Sequence, residues 1–463
     1  MHEPATRRAV EALIPISEDR PPAEAAATPL ASADRPIVAI LAAIVAVHLA
    51  AFAYVVAAGL VRRPYSDMFD FLRAEFDFER TRDLIAYLAS PHNYQHLIWV
   101  RILTALDVQV FHGTATIFAV AASLSVLLGA AVVAFEMWRS TPRRVVGAIG
   151  AALAAMLIVS TVNAMDCTQP INAVYALALG FATLAVALFE HVDDSGSRAI
   201  LLGALALLAG LGAAAGSAAG VAVFPPLIVS AARHRGSRSL LIPTLLVGGA
   251  AMAVVAMTLL AGGDAPKTSG NAAHIRKMAE YFLAYAGMPW SSVRLLSRLR
   301  LALGLVTVGL AAWLLLRGSR RAGAAGRLER IGLDLILFAL ITAALAAVGR
   351  VDENVQVIVP VRYAVFMSAL QAGVICVLAP PIAERWERLR RYIVPAALAG
   401  ALALLAQQAA AGASAIKTSR YIEAEIAAFD AGARRPEMHQ LIFPDLAVAA
   451  QVEGEYRRRG LYR

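Results

Sequence analysis

The stretch PIVAILAAIVAVHLAAFAYVVAAGL (36–60), followed four residues on by Tyr65-Ser66-Asp67-Met68-Phe69-Asp70-Phe71, decides the class of fold. Its first part is an unbroken apolar run, and a helix needs roughly 17–25 such residues to cross a bilayer. Its second part sets two carboxylates where that helix returns to water. In a chain that spends few charges, an acidic pair at the membrane boundary asks for a chemical explanation.

The rest of the chain repeats the first part. Of 463 residues, 59% are hydrophobic and 16% charged, with a mean hydropathy of +0.65; soluble domains carry about 25% charge. This is the composition of an all-α integral membrane protein. Further apolar runs lie at 114–135, 145–165, 170–189, 199–217, 219–232, 240–262, 299–316, 331–348, 360–380 and 392–413, which makes about eleven transmembrane helices. The runs 199–217 and 219–232 almost touch, and Pro225-Pro226 interrupts the second, so a kinked or re-entrant piece is an alternative there.

Arginines orient the bundle, because Lys and Arg accumulate in short cytoplasmic loops. Arg139, Arg143 and Arg144 share one loop, Arg233, Arg235 and Arg238 another, Arg317 to Arg330 a third, and Arg385 to Arg391 a fourth. An even number of spans separates each from the next. The expected topology has a cytoplasmic N-terminus and a multi-pass domain over 36–413. It puts loops 61–113, 162–169, 263–298 and 349–359 outside, together with an extracytoplasmic tail, 414–463. Arg62 and Arg63 stand on the disfavoured side. Residues 1–35, rich in Ala and Pro, read as a disordered cytoplasmic leader, and the first span begins too late and runs too long for a cleaved signal peptide.

The net charge of +9 is spread over those loops rather than gathered on one face, so it reflects topology and not nucleic-acid binding. Cys167 belongs to an outer loop and Cys376 to a span, which gives neither a disulfide nor a thiolate metal site.

Polar residues are distributed in a way that separates functions. Ion-coupled transporters hold ionisable side chains near the bilayer midplane. Here His48, Asp334, Gln371, Gln407 and Gln408 are the chief polar residues inside the spans, and His48 reads as a packing residue. Ionisable and aromatic side chains collect in the outer loops instead, which suits chemistry at the outer interface.

In loop 61–113 the spacing of Phe69, Leu72 and Phe76, and of Leu84, Tyr87 and Leu88, predicts one or two amphipathic helices lying on the membrane surface. Asp67 and Asp70 would share a face. One reading makes one of them a general base; the other makes Asp67 a helix N-cap. Downstream, Pro91-His92-Asn93-Tyr94-Gln95-His96 spaces two imidazoles as metal ligands would be on a helix, yet no third ligand stands near, and zinc wants at least three. Hydrogen bonding to a sugar or phosphate by His92, Asn93 and His96, with Arg101 reaching the same pocket, competes with simple packing. A second constellation is Gly349-Arg350-Val351-Asp352-Glu353-Asn354 followed by Pro360-Val361-Arg362-Tyr363. Arginine on the outer side needs an anionic partner. This is either a phosphate, which guanidinium binds in a bidentate fork, or the neighbouring Asp352 and Glu353.

The order of these elements resembles bacterial polytopic proteins of the GT-C glycosyltransferase superfamily: an apolar anchor, Ser66-Asp67-x-x-Asp70-Phe71-Leu72, then Pro91-His92-Asn93-x-x-His96, and Arg362-Tyr363 before a late span. The resemblance extends to Leu441-Ile442-Phe443-Pro444 and to Tyr456–Leu461. The histidine element departs from the His-Asn-Glu-His-Arg pattern of such proteins, since Tyr94 and Gln95 replace the acidic position and Leu97 follows His96. Asp67 and Asp70 are therefore the better carry-over. The resemblance implies a polyprenyl-phosphate sugar as donor, an acidic base in the first outer loop, and a glycan, lipid or protein acceptor. It places the chain in the bacterial inner membrane, with a divalent cation as the one candidate cofactor. A lipid-linked glycan flippase and a non-catalytic cell-envelope assembly subunit are the rival expectations.

Overall fold

The computed structural model describes residues 30–92, 95–192, 196–233, 239–261, 272–288, 290, 297–320, 326–351 and 359–461. Those residues form helices and turns, joined by a single isolated bridge. Chains of Ala, Leu, Val and Ile have no side chain to satisfy backbone N–H and C=O groups in lipid, so each run must pair its own backbone as a helix. The first span is α1 (Arg35–Gly59). The expected amphipathic loop follows as α2 (Met68–Thr81), α3 (Leu84–Ala89) and α4 (Ile98–Gln109). The bundle continues with α5 (Thr116–Ser140), α6 (Arg144–Ile158), the short α7 (Met165–Thr168), α8 (Ala173–Glu190) and α9 (Ser197–Gly216). Then come α10 (Phe224–Arg233), α11 (Leu241–Ala261), α12 (Ala272–Ala286), α13 (Arg300–Arg320), α14 (Arg327–Arg350) and α15 (Ala364–Glu384). The chain closes with α16 (Trp386–Asp430), α17 (Met438–Leu441) and α18 (Leu446–Arg458).

Nine helices among the described residues are long and apolar enough to span a membrane. Of the other two expected spans, 240–262 gives α11, and 219–232 gives the shorter apolar helix Ala218–Arg233. The reason lies in the sequence: a 3-10 turn over Ala218–Val223 and the Pro225-Pro226 pair replace the first turns of a full helix. At Gly220 an added Cβ would fall 1.9 Å from the Ala213 carbonyl oxygen, so only glycine permits the reversal out of α9.

α8 is the central post, buried along nearly its whole length and packed by α5, α9, α14 and α15. α1 leans on α16, and α14 on α15. Val120, Leu124 and Phe135 of α5, Ile200 and Leu208 of α9, and Leu305, Val306 and Trp313 of α13 face outward as the apolar belt that lipid would cover. His48 is buried, with Nε2 2.8 Å from the Val159 carbonyl oxygen. Gln408 accepts from the Thr161 N–H at 2.6 Å and donates to the His48 carbonyl at 3.1 Å. These polar residues close helix ends, which is the packing role expected of His48.

Ion pairs show which loops share a face. Arg143 reaches Glu387 at 2.7 Å, and Arg390 reaches Asp34 at 3.1 Å, so the N-terminus and two of the basic loops lie together. On the opposite face Arg63 pairs with Asp430 at 2.7 Å and approaches Glu423 at 3.9 Å, which explains how an arginine is tolerated on the side that disfavours it. The boundary expected between 413 and 414 falls inside α16, an unbroken helix of 45 residues. At 1.5 Å per residue it runs about 68 Å against a hydrocarbon core of about 30 Å, so its second half projects from the bundle. There Ile422, Ile426 and Phe429 join Ile442, Phe443, Leu446 and Tyr456 around the buried face of α2, made of Phe69, Leu72 and Phe76. Tyr456 donates to the Gly113 carbonyl oxygen. Gly113 has φ +72°, and a Cβ there would lie 1.9 Å from the Tyr456 hydroxyl. The tail and the first loop are thus one cap on one end of the bundle.

Candidate active site at the capped mouth

The cap fixes the start of α2. Ser66 sits at φ +52°, a left-handed conformation rare outside glycine, and its N–H donates to the Ile442 carbonyl at 2.5 Å. Asp67 stands in the N-cap position but makes no capping bond. Its Oδ2 lies 3.1 Å from His92 Nε2 instead, and Asp70 Oδ2 lies 3.8 Å from His92 Nδ1. One imidazole therefore bridges the two carboxylates.

His92 is held from behind. The Phe71 ring packs against it at 4.6 Å, and the Arg101 guanidinium lies over Phe71 at 5.5 Å and over Tyr87 at 5.3 Å. Arg101 also donates to the Ser90 carbonyl at 2.9 Å, and Tyr87 to the Arg101 carbonyl at 2.8 Å. Arg101, expected to reach the pocket of His96, is instead a buried strut for the 90–92 turn. His92 and Gln95 exchange backbone bonds of 2.8 and 2.9 Å, so the segment is a tight turn and the helical spacing that would make His92 and His96 metal ligands is not formed. His96 is half-buried ahead of α4; Asn93 lies outside the described residues. No group of three or more His, Cys, Asp and Glu able to hold a metal is gathered among the described residues.

The guanidinium groups approach from the other half of the chain. Arg350 ends α14 and is exposed; Arg362 is half-buried in the 3-10 turn Val361–Tyr363. Asp352 and Glu353, the alternative partners, lie outside the described residues. The charges of Arg362 and Arg350 reach Asp67: its hydrogen bond with His92, helped by both guanidinium groups, holds its carboxyl below the usual range against the effect of burial. Asp70 moves the other way, raised by burial and by Asp67, with His92 and Arg73 opposing. Two neighbouring carboxylates with environments that split their pKa values are the usual arrangement of an acid–base pair.

The structure adds residues that sequence reading passed over. The polar segment 160–172 is not a surface loop; Ser160, Thr161, Asn163, Asp166, Thr168, Gln169 and Asn172 are all buried. The turn carrying Arg362 packs on it. Asp166 is fully buried, and neither carboxyl oxygen has a hydrogen-bond partner; burial drives its pKa far up, with Arg362 opposing. Around it stand tyrosines. Tyr363 stacks on Tyr285 at 5.7 Å and meets Tyr175 edge-on at 5.3 Å, and Tyr281 lies 6.3 Å from Tyr285. The hydroxyls of Tyr65, Tyr281 and Tyr285 and the Nε of Arg362 are buried without hydrogen-bond partners. Trp99 of α4 donates to the Gly212 carbonyl at 2.8 Å and stacks on Phe181 at 5.4 Å.

No family model, curated protein or solved structure matches this chain. The fold by itself defines a class: among the described residues, helices long and apolar enough to cross a membrane several times and no strands.

Proposed function

We propose that the chain is an inverting glycosyltransferase that moves a sugar from a polyprenyl-phosphate donor to a glycan, lipid or protein acceptor on the extracytoplasmic face of the bacterial inner membrane. The observation that carries this reading is the shared field at the mouth: Asp67, tied to His92, lies under the charges of both Arg350 and Arg362. A carboxylate pair of which one member feels two guanidinium charges matches a reaction in which a hydroxyl loses a proton while a phosphate leaves.

In this scheme Asp70, whose burial makes it the stronger base, takes the proton of the acceptor hydroxyl. The hydroxyl oxygen attacks the anomeric carbon, the carbon–oxygen bond to phosphate breaks, and the electron pair departs with polyprenyl phosphate, inverting the centre. Asp67 stays ionised and holds His92 between the carboxylates. Arg350 and Arg362 stabilise the charge that grows on the leaving phosphate, an effect that is strong because the donors are already in place. Basic loops on the opposite face support a cytoplasmic N-terminus, with this end of the bundle and the tail outside.

The test is sugar transfer by Asp70→Asn and Asp67→Asn in membranes where expression and insertion match the wild type. Loss of transfer with intact insertion supports the reading. Undiminished transfer by both variants removes the carboxylates from the chemistry, and glycolipid movement across vesicles that lack any acceptor assigns the chain to transport instead.

A further inference from the structure

We propose that Asp166, with the hydroxyls of Tyr281 and Tyr285, forms a buried subsite that binds the hydroxyl groups of a neutral sugar ring and so selects which sugar reaches the carboxylates; this inference rests on the transferase reading above.

Folded proteins pair almost all of their buried polar atoms, and an exception needs a reason. Such atoms occur at several places in this fold, and one group of them includes a carboxylate with neither oxygen paired. Both oxygens of Asp166, the hydroxyls of Tyr281 and Tyr285, and the Nε of Arg362 are buried and have no hydrogen-bond partner. They come from three separate parts of the fold, α7, α12 and the Val361–Tyr363 turn, and Tyr363 of that turn stacks on Tyr285. The electrostatic influence of Asp166 on Tyr285, and of Arg362 on Asp166, shows that they address a common region.

The chemistry of the group set selects its ligand class. An ammonium would meet the Arg362 guanidinium, and burial favours the uncharged form of the Asp166 carboxyl, which then offers both a donor and an acceptor rather than a charge. A neutral polyhydroxylated ring suits both. Asp166 accepts from adjacent hydroxyls, the tyrosine hydroxyls donate or accept as required, and aromatic rings wall the apolar faces of the ring. Sites built from buried polar groups reject an analogue lacking the matching hydroxyl strongly, because its absence leaves them unpaired. That is the property of a specificity pocket. Asp166 is a positioning residue in this scheme and gives or takes no proton in the transfer.

The experiment is saturation-transfer NMR on the full chain in lipid nanodiscs. The probes are the methyl α-glycosides of D-glucose, D-mannose, D-galactose and N-acetyl-D-glucosamine. At least one should draw saturation from the wild type, and that signal should fall at least fivefold in both Asp166→Asn and Tyr285→Phe. Melting of the Asp166→Asn protein should occur no lower than wild type, since the carboxyl has no partner to lose; a structural role would lower it. Silence from all four probes on the wild type, or equal signals from both variants, overturns the subsite. If Asp166→Asn fails to fold, Tyr285→Phe decides alone, because it removes one unpaired hydroxyl and keeps the ring. Failure here with transfer still dependent on Asp70 would sink the subsite and spare the transferase. Sugar binding that depends on Asp166, without any dependence of transfer on the carboxylates, would do the reverse.

Discussion

The two ends of this bundle both bury charge, and they do so in opposite ways. At the end near the basic loops, Glu190 accepts from Ser230 and from the guanidinium of Arg330, Ser230 lies 3.2 Å from Asp334, and His191 meets Glu136 at 2.7 Å. Each of these carboxylates has a partner, and the partners tie α5, α8, α10 and α14 together. At the capped end Asp166, Tyr65, Tyr281, Tyr285 and Arg362 carry buried polar atoms without hydrogen-bond partners. A buried hydroxyl left unpaired costs about 1–3 kcal/mol, and an unpaired charge costs more. Satisfied polarity is accounted for by the fold itself. Single unpaired atoms occur at the basic end as well, Glu136 Oε2 and Thr141 Oγ1 among them, but Asp166 is the one buried carboxylate among the described residues with neither oxygen paired.

The largest expected effect breaks the comparison at the mouth. Asp70→Asn should lower sugar transfer by roughly 10²–10⁴, the usual contribution of a well-placed general base, with little change in melting temperature. A melting loss that tracks the activity loss would make Asp70 a structural residue. At the other end the pattern should invert. Arg330→Ala leaves Glu190 and Asp334 buried beside each other without their counter-charge, so unfolding should become easier by about 3–5 kcal/mol. Unchanged stability would show that the paired end is not structural.

The cap supplies a third contrast, because it is joined to the mouth by packing rather than by charge. Phe69→Ala removes a ring that is 1% exposed and sits edge-on to Phe443 at 5.8 Å. It should cost about 3–5 kcal/mol and reduce transfer by releasing the start of α2 from Ile442. Normal transfer by this variant would mean that the cap does not position Asp67.

The smallest effect concerns Asp107 of α4, buried beneath the cap and pushed up to about 7 by burial, with the Ala115 N–H opposing. Because the folded state holds this proton longer than the unfolded state, stability should fall as pH rises from about 4 to about 7, and then level off. Asp107→Asn should therefore melt higher than wild type at pH 8, with a smaller gain at pH 5. An equal gain at both values would remove burial of the charge as the cause.

Much of this was legible in the residues. The apolar runs gave the helices because lipid leaves the backbone no other partner, and two of the basic loops meet the start of α1 on a common face. The amphipathic spacing of Phe69, Leu72 and Phe76 marked α2, although its cover, the tail from Ile422 to Tyr456, lies some 350 residues downstream. Asp67 and Asp70 stood out because acids beside a span are rare. Asp166 did not, since a polar stretch between two spans reads as a surface loop until the bundle is seen to enclose it. Tyr175 and Tyr285 did not stand out for a related reason, and Tyr281 stood out only as one aromatic of an outer loop. Each is an ordinary residue in its own helix, and they become a wall only through packing between elements far apart in sequence. The contacts of Arg101 with the Ser90 carbonyl and the Phe71 and Tyr87 rings were not legible, because they depend on how the 90–92 turn folds back over α4.

The most direct measurement is a cryo-electron microscopy map of the full chain in nanodiscs containing a short-chain polyprenyl-phosphate sugar. The account expects the phosphate within hydrogen-bonding reach of Arg362 or Arg350, with the anomeric carbon turned toward Asp70. A donor head bound at the opposite end of the bundle, or away from both arginines, would contradict it.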